Sequence, residues 1–271
     1  GGHSHRCCGQ RWCGVVRGVP TSGSRDHQPD GEGNDANRSH ECIVAPIGQI
    51  NKAVPLASRS MIDVASARAD TPGAAFVTHF NNAGASLPPR PVLDTITNYL
   101  GEEARFGGYE VAEAHAADLS SAYDTLAALV GSDRSEIALT DSATRAWGSV
   151  FSAMDFHRGD RILTTTSEYA SNVIAFLQVS RRAGVSVEVV PNRPSGEIDP
   201  DALDTMIGDR ARLLAINHVP TNSGLVNPAA EVGRVAKAHG VPYLLDACPS
   251  VGLLPIDVAE FGGVLVAAPA R

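Results

Sequence analysis

The stretch RLLAINHVPTNSGLVNPAAEVGRVAKAHGVPYLLD, Arg212–Asp246, decides the reading of this chain. Its two ends, Arg212–Asn217 and Tyr243–Asp246, are short apolar runs of strand length, and between them Pro228–His239 carries helical patterning. Two such runs joined by a helix mark a crossover unit, in which the strands lie parallel and the helix covers one face. The same alternation extends in both directions. Strand-like Ile137–Thr140, Arg161–Thr165 and Ser186–Val190 alternate with helical Thr144–Asp155, Asn172–Ala183 and Pro200–Ile207, and Val264–Ala267 is a last strand. Earlier, Pro91–Glu103 and Ala112–Val130 have helical spacing, with Leu119, Tyr123, Leu126 and Val130 on one helical face. The expected fold class is α/β, a doubly wound, mostly parallel sheet with helices on both faces. Ligands of such sheets sit outside the carboxyl ends of the strands, so the residues just past each strand carry the chemistry.

This texture begins near Thr78, and Met61 opens the first stretch of globular character. Residues 1–60 show no sustained period of 2 or 3.6. From Pro20 to His40 they are almost wholly polar and turn-forming, too poor in apolar surface to offset ordering entropy. The expected division is a leader, 1–60, disordered or not native to the fold, and a main domain, 61–271. His3, His5, Cys7, Cys8 and Cys13 cluster in the leader, but their spacing lacks the paired CxxC knuckles of a zinc site, so no metal is expected.

Composition narrows the function classes. With 43% hydrophobic and 19% charged residues, the 271-residue chain reads as soluble and globular. Its longest apolar runs, such as Val241–Leu245 and Val264–Ala268, are far too short to span a membrane. A formal charge of −8 argues against a nucleic-acid surface. Four of the five cysteines lie in the leader and only Cys248 beyond it, so disulfides play no part in the main fold and a cytoplasmic location is expected. Lysine is scarce, at Lys52 and Lys237 alone, against 20 arginines.

Four strand ends carry suggestive residues. Thr140-Asp141-Ser142-Ala143-Thr144 leads into a helix, where free N–H groups and a hydroxyl suit a phosphate or make an ordinary N-cap. Ser167-Glu168-Tyr169-Ala170-Ser171-Asn172 offers an aromatic wall for a planar ring, or a packing residue. Asn217-His218-Val219-Pro220-Thr221-Asn222-Ser223-Gly224 is a polar turn able to hydrogen-bond a ligand. Asp246 closes a buried apolar strand, where a carboxylate is costly unless a cation or a helix cap satisfies it.

Taken together these segments resemble the class V aminotransferase family of fold-type I pyridoxal-phosphate (PLP) enzymes, which includes cysteine desulfurases, selenocysteine lyases and isopenicillin N epimerase-like proteins. Asp246-Ala247 with Pro255-Ile256-Asp257-Val258 is similar to its Asp-Ala and Pro-aliphatic-Asp-Val motif. Asn217–Asn222 resembles its Ser-His-Val-Ser-Asn segment, Ser167–Asn172 its Glu-His-His-Ser-Asn segment, and Phe80-Asn81-Asn82-Ala83-Gly84 its Leu-Asp-Asn-Ala-Ala opening. The similarity runs from about Met61 to about Gly262.

The resemblance implies an amino-acid substrate, a homodimer in intact relatives, and PLP held at the strand ends. Asp246 would keep the pyridine nitrogen protonated, making the ring an electron sink for a substrate carbanion. Ser142, Ala143 and Thr144 would hold the phosphate, and Tyr169 would stack on the ring where most relatives use His. Thr221 or Asn222 would reach the ring hydroxyl, and Asn82, Ala83 and Gly84 would meet the substrate. Two departures stand out. Pro249 replaces a Gln that donates to the ring hydroxyl oxygen in relatives. The Schiff-base lysine, expected about 25 residues beyond the Asp, would fall at Ala270 and Arg271, so no catalytic lysine is assigned. These features imply an incomplete large domain, lacking the C-terminal small domain and inactive as given. The alternatives are a non-catalytic PLP or phosphate-ligand module, or an unstable remnant.

Overall fold

The computed structural model describes residues 14–16 and 62–269, which fall into two compact units, 62–126 and 14–16 with 127–269. The rest of the expected leader, including the His3–Cys13 cluster and Lys52, lies outside the described residues.

The first unit is helical. Asp63 caps α1 (Val64–Ala69), accepting from the N–H groups of Ala65 and Ser66. A 3₁₀ turn at Pro72–Ala75 leads to the short α2 (Asn82–Ala85), where His79 Nε2 lies 2.8 Å from the Ala85 carbonyl. The long α3 (Arg90–Phe106) ends at Gly107, whose φ of 96° breaks it from α4 (Gly108–Ala114). The single helix expected over 112–130 is interrupted. His115 leaves helical geometry, its ring lies against Glu102 and Asp118, and α5 (Ala116–Val130) starts after it. The expected apolar face of α5 is buried only toward its end, since Leu119 is exposed and Val130 buried.

The second unit holds the sheet, with strands β1 (Gly14–Val16), β2 (Ala138–Thr140), β3 (Arg161–Thr164), β4 (Ser186–Val189), β5 (Ala211–Asn217), β6 (Tyr243–Asp246) and β7 (Leu265–Pro269). Their order is β2-β1-β7-β6-β5-β3-β4. Strands β3 to β7 pair parallel, and β1 is antiparallel to both β7 and β2. Hence β2 runs with the parallel set, and the carboxyl ends of β2, β3, β5 and β6 share one edge. No strand was expected within 1–60; Gly14–Val16 forms one. The mostly parallel sheet expected from the alternation is present, each of β2 to β7 within a residue or two of the run that announced it.

Crossover handedness sorts the helices. From β2 to β3 and from β3 to β4 the chain moves one way through α6 (Ala143–Ser152) and α7 (Ala170–Ala183). From β4 to β5 and β5 to β6 it moves back through α8 (Pro200–Met206) and α9 (Ala229–Ala238). Right-handed crossovers put opposite directions on opposite faces; accordingly α6 packs with α7, and α8 with α9. Under α6 and α7 lies the main apolar cluster: Trp147, Phe151 and Phe176 from the helices, and Ile162, Leu213, Ala215 and Leu244 from the strands. Trp147 and Phe151 stack at 4.9 Å between centroids, with Phe176 tilted against both. Side chains two residues apart on a strand share a face. Thr164, Asn217 and Asp246 are each two residues beyond a member of this cluster, so they project to the same face at the carboxyl edge. Among the described residues no helix is long and apolar enough to cross a membrane.

Candidate functional site

Chain direction reverses between β3 and β5, where β3 leads outward to β4 and β5 leads inward to β6. The gap opened at such a reversal is where doubly wound sheets receive ligands. Around it stand Glu168 and Tyr169 after β3, Asn172 in the first turn of α7, Asn217 at the end of β5 and Asp246 at the end of β6.

Asp246 pairs with Asn217 across the β5–β6 ladder and is almost fully buried, at 8% exposure. Its Oδ1 accepts the Cys248 N–H at 3.0 Å and its Oδ2 accepts Asn172 Nδ2 at 3.0 Å. Burial raises its pKa above the ordinary carboxylate range, opposed by those hydrogen bonds. Among the described residues no cationic side chain pairs with it, so the charged form lacks the partner that normally stabilises a buried carboxylate.

Glu168 occupies the neighbouring position. Its Oε1 accepts the Tyr169 N–H at 2.8 Å and Asn172 Nδ2 at 3.0 Å, and its Oε2 accepts Thr164 Oγ1 at 3.2 Å. The residue as a whole is half-buried, but its carboxyl is enclosed by β3 and the start of α7. Burial pushes its pKa up to about 7, with the Asp246 charge adding to the rise. Asn217 donates Nδ2 to the Ser167 carbonyl at 2.6 Å, while its Oδ1 is buried with no partner. The edge is thus rich in acceptors: two carboxyls, an unpaired amide oxygen, and no cation among the described residues to meet them.

The polar turn beyond β5 divides in two. Its inner part is structural. Asn227 Nδ2 donates to the Asn217 carbonyl at 2.8 Å, and the Asn227 N–H to that of His218 at 2.9 Å. His218 is buried, with Nδ1 3.0 Å from Ser250 Oγ and its ring edge-on to Phe261. Burial lowers its pKa, so it is a neutral core histidine. The outer part, Thr221 and Asn222, is exposed.

The remaining expected site residues are spread over both units. Ser142 is the N-cap of α6, its hydroxyl accepting the Arg145 N–H at 3.1 Å, so that group serves the cap. Ala143 and Thr144 open the helix, and Thr144 is exposed at the same sheet edge. Tyr169 occupies the N-cap position of α7 and is 45% exposed, its ring outside the core. Asn82, Ala83 and Gly84 form most of α2, in the 62–126 unit. The Cys248–Pro249 peptide is cis. Lys237 is exposed in the last turn of α9. That helix starts beside the carboxyl end of β5 and returns the chain to the start of β6, so Lys237 sits at the opposite edge from Asp246. No group of three or more His, Cys, Asp or Glu among the described residues could hold a metal ion.

Sequence alone assigned no role to Glu168 or Asn172, although both lie in the Ser167–Asn172 segment. The available signal was their spacing: four residues apart across a helix start, the two side chains fall one above the other.

The family model for aminotransferase class-V matches residues 78–270. A probable cysteine desulfurase of Halobacterium salinarum is 30% identical over 213 residues, covering 73% of this chain and 51% of that protein. The cysteine desulfurase IscS of Edwardsiella ictaluri is 31% identical over 189 residues, covering 65% and 46%. Among solved structures, an apo cysteine desulfurase from Thermococcus onnurineus superposes with a TM-score of 0.70 at 24% identity, over 76% of this chain and 53% of that one. The C-DES mutant with glycine covalently linked to its PLP cofactor gives 0.66 at 27% identity, over 72% and 52%. The chain spans about half the length of these curated relatives.

Proposed function

The chain belongs to the aminotransferase class-V family, and on that premise we propose that it holds pyridoxal 5'-phosphate at the carboxyl edge of the β3-β5-β6 sheet, as part of a PLP-dependent enzyme acting on an amino acid. The observation that carries this reading is the buried Asp246 carboxylate, oriented by neutral donors from Cys248 and Asn172 and without a cation among the described residues. All the groups that donate to it are neutral, and a pyridinium N–H is a partner of the right charge and polarity. Such a pair also offsets the burial that raises the Asp246 pKa, so binding and ionisation of Asp246 favour each other. When bound, the cofactor supplies an electron sink for charge developing at the substrate Cα.

The chain's own residues divide the work. Asp246 takes the ring nitrogen, held in place by the Cys248 N–H and Asn172. Tyr169 covers the ring from the start of α7. The first-turn N–H groups of α6, with the Thr144 hydroxyl, meet the phosphate at the positive end of the helix. Thr221 or Asn222 reaches the ring hydroxyl from the exposed turn, while Pro249 offers no side-chain donor there. Cysteine desulfuration is the reaction favoured for the whole protein, because the curated relatives carry that name.

Lys237, the one lysine among the described residues, is at the far edge of the sheet and has no route to this site. We therefore propose that Lys237 forms no covalent link to the cofactor. The test is a titration with PLP followed by absorbance, on wild type and Asp246→Asn. Loss of the charge-assisted bond is expected to weaken binding about tenfold to a hundredfold. Borohydride treatment of the loaded wild type should leave no cofactor on Lys237. Equal affinities, or a reduced adduct on Lys237, would refute the assignment.

A further inference from the structure

Behind Asp246 the site has a second layer that the family motifs do not assign. One atom, Asn172 Nδ2, donates to Glu168 Oε1 and to Asp246 Oδ2, both at 3.0 Å. An amide nitrogen carries two hydrogens, so both bonds are made together, one from each. Glu168 is fixed on its other sides by the Tyr169 N–H and the Thr164 hydroxyl. Two carboxyls from different strand ends are thereby clamped to one carboxamide. Among the described residues neither forms an ion pair.

Resting on the reading that Asp246 receives a ring nitrogen, we propose that Glu168 and Asn172 are positioning residues for that contact: Asn172 fixes the two carboxyls, and the charge on Glu168 sets how strongly Asp246 attracts a cationic N–H. Glu168 accepts three hydrogen bonds, from the Tyr169 N–H, Asn172 and Thr164, and it shares with Asp246 the carboxamide of Asn172. The titratable groups facing its carboxyl are Asp246 and Tyr243, both on β6; the Tyr243 hydroxyl is buried without a partner. None of them brings a positive charge. A second negative charge this close to Asp246 deepens the potential felt by a cation, at a dielectric well below that of water. With Glu168 neutral the site offers one charge, and with Glu168 ionised it offers two. Because the acid is already shifted to about 7, this change falls near neutrality.

The experiment compares PLP affinity of wild type and Glu168→Gln from pH 5.5 to 9. The ligand's own titrations cancel in the ratio of the two affinities. That ratio is expected near one below pH 6 and to rise about threefold to tenfold in favour of wild type as pH passes 7. A purely structural Glu168 would shift affinity by one factor at every pH, and a flat ratio overturns the inference. Carboxyl carbon NMR of the ligand-free protein gives a second readout. The Glu168 titration near neutrality is expected to move down in Asp246→Asn; an ordinary carboxylate midpoint in wild type, or no movement, also overturns it. This arm carries the test should Glu168→Gln fail to fold. Absence of PLP binding by wild type at every pH refutes the cofactor reading and the role built on it, whereas binding with a flat ratio refutes the inference alone.

Discussion

Replacing Glu168 by Gln should stabilise the protein at alkaline pH and leave it little changed at acid pH. The carboxyl ionises at 4.5 in its ordinary state and at about 7 in the fold. Burial is the main cause, with the neighbouring Asp246 charge contributing. Because the folded pKa is the higher one, the fold favours the neutral acid. Its contribution is intact below pH 4.5 and is lost as pH rises through about 7. A difference of this size corresponds to about 3 kcal/mol once both states are ionised. Partial water access to Glu168 reduces that to on the order of 2 kcal/mol. Gln keeps an acceptor for Asn172 and for the Tyr169 N–H and never ionises. Urea unfolding at pH 5 and pH 8.5, followed by fluorescence of buried Trp147, measures the effect. Between the two pH values wild type should lose roughly that amount relative to the variant. Parallel pH dependence of the two proteins would show that Glu168 is ionised at no cost, and the electrostatic description of this edge would be wrong.

Two further substitutions probe the packing that supports the edge. Gly233→Ala should destabilise despite helix propensity favouring Ala by about 1 kcal/mol, because a Cβ there would lie 2.1 Å from the Phe261 carbonyl oxygen; a drop in urea midpoint equivalent to roughly 2 kcal/mol or more is expected. Ser250→Ala removes the group against His218 Nδ1 and leaves that buried atom unpaired, at a cost of about 1–3 kcal/mol by the same measurement. A smaller loss would mean that the His218 ring turns to find another partner.

The sheet was legible because parallel strands buried on both faces must be almost wholly apolar. Leu213–Ile216 and Leu244–Leu245 are fully buried, and no other element tolerates such runs between polar helices. Helix ends were legible where a residue announces them: Gly184, left-handed at φ 72°, closes α7. The break at His115 was hidden. Nothing in Ala112–Val130 forbids a continuous helix, and the interruption coincides with a ring held between Glu102 and Asp118, a contact between residues that the pattern treats as independent. Strand order was hidden for the same reason. Apolar content announces a strand but not its neighbour, and Gly14–Val16, at three residues, is too short to show a period.

The site divides along the same line. Asp246 stood out because a charge at the end of an apolar strand has a cost visible in one dimension. Glu168 and Asn172 did not, since a Glu and an Asn at a helix start are ordinary on a solvated surface. What makes them unusual is that α7 begins against the end of β6, 74 residues away in sequence, so that Asn172 reaches Asp246. That proximity comes from the reversal of direction between β3 and β5. The same reversal that opens room for a ligand at this edge brings the residues after β3 against the end of β6. A doubly wound sheet therefore supplies, at one place, both a cleft and the means to crowd acidic groups beneath it. Here the crowding leaves Asp246 and Glu168 sharing a single carboxamide, with no cation among the described residues. The deficit of positive charge at the cleft is the physical reason to look for a cationic ligand there.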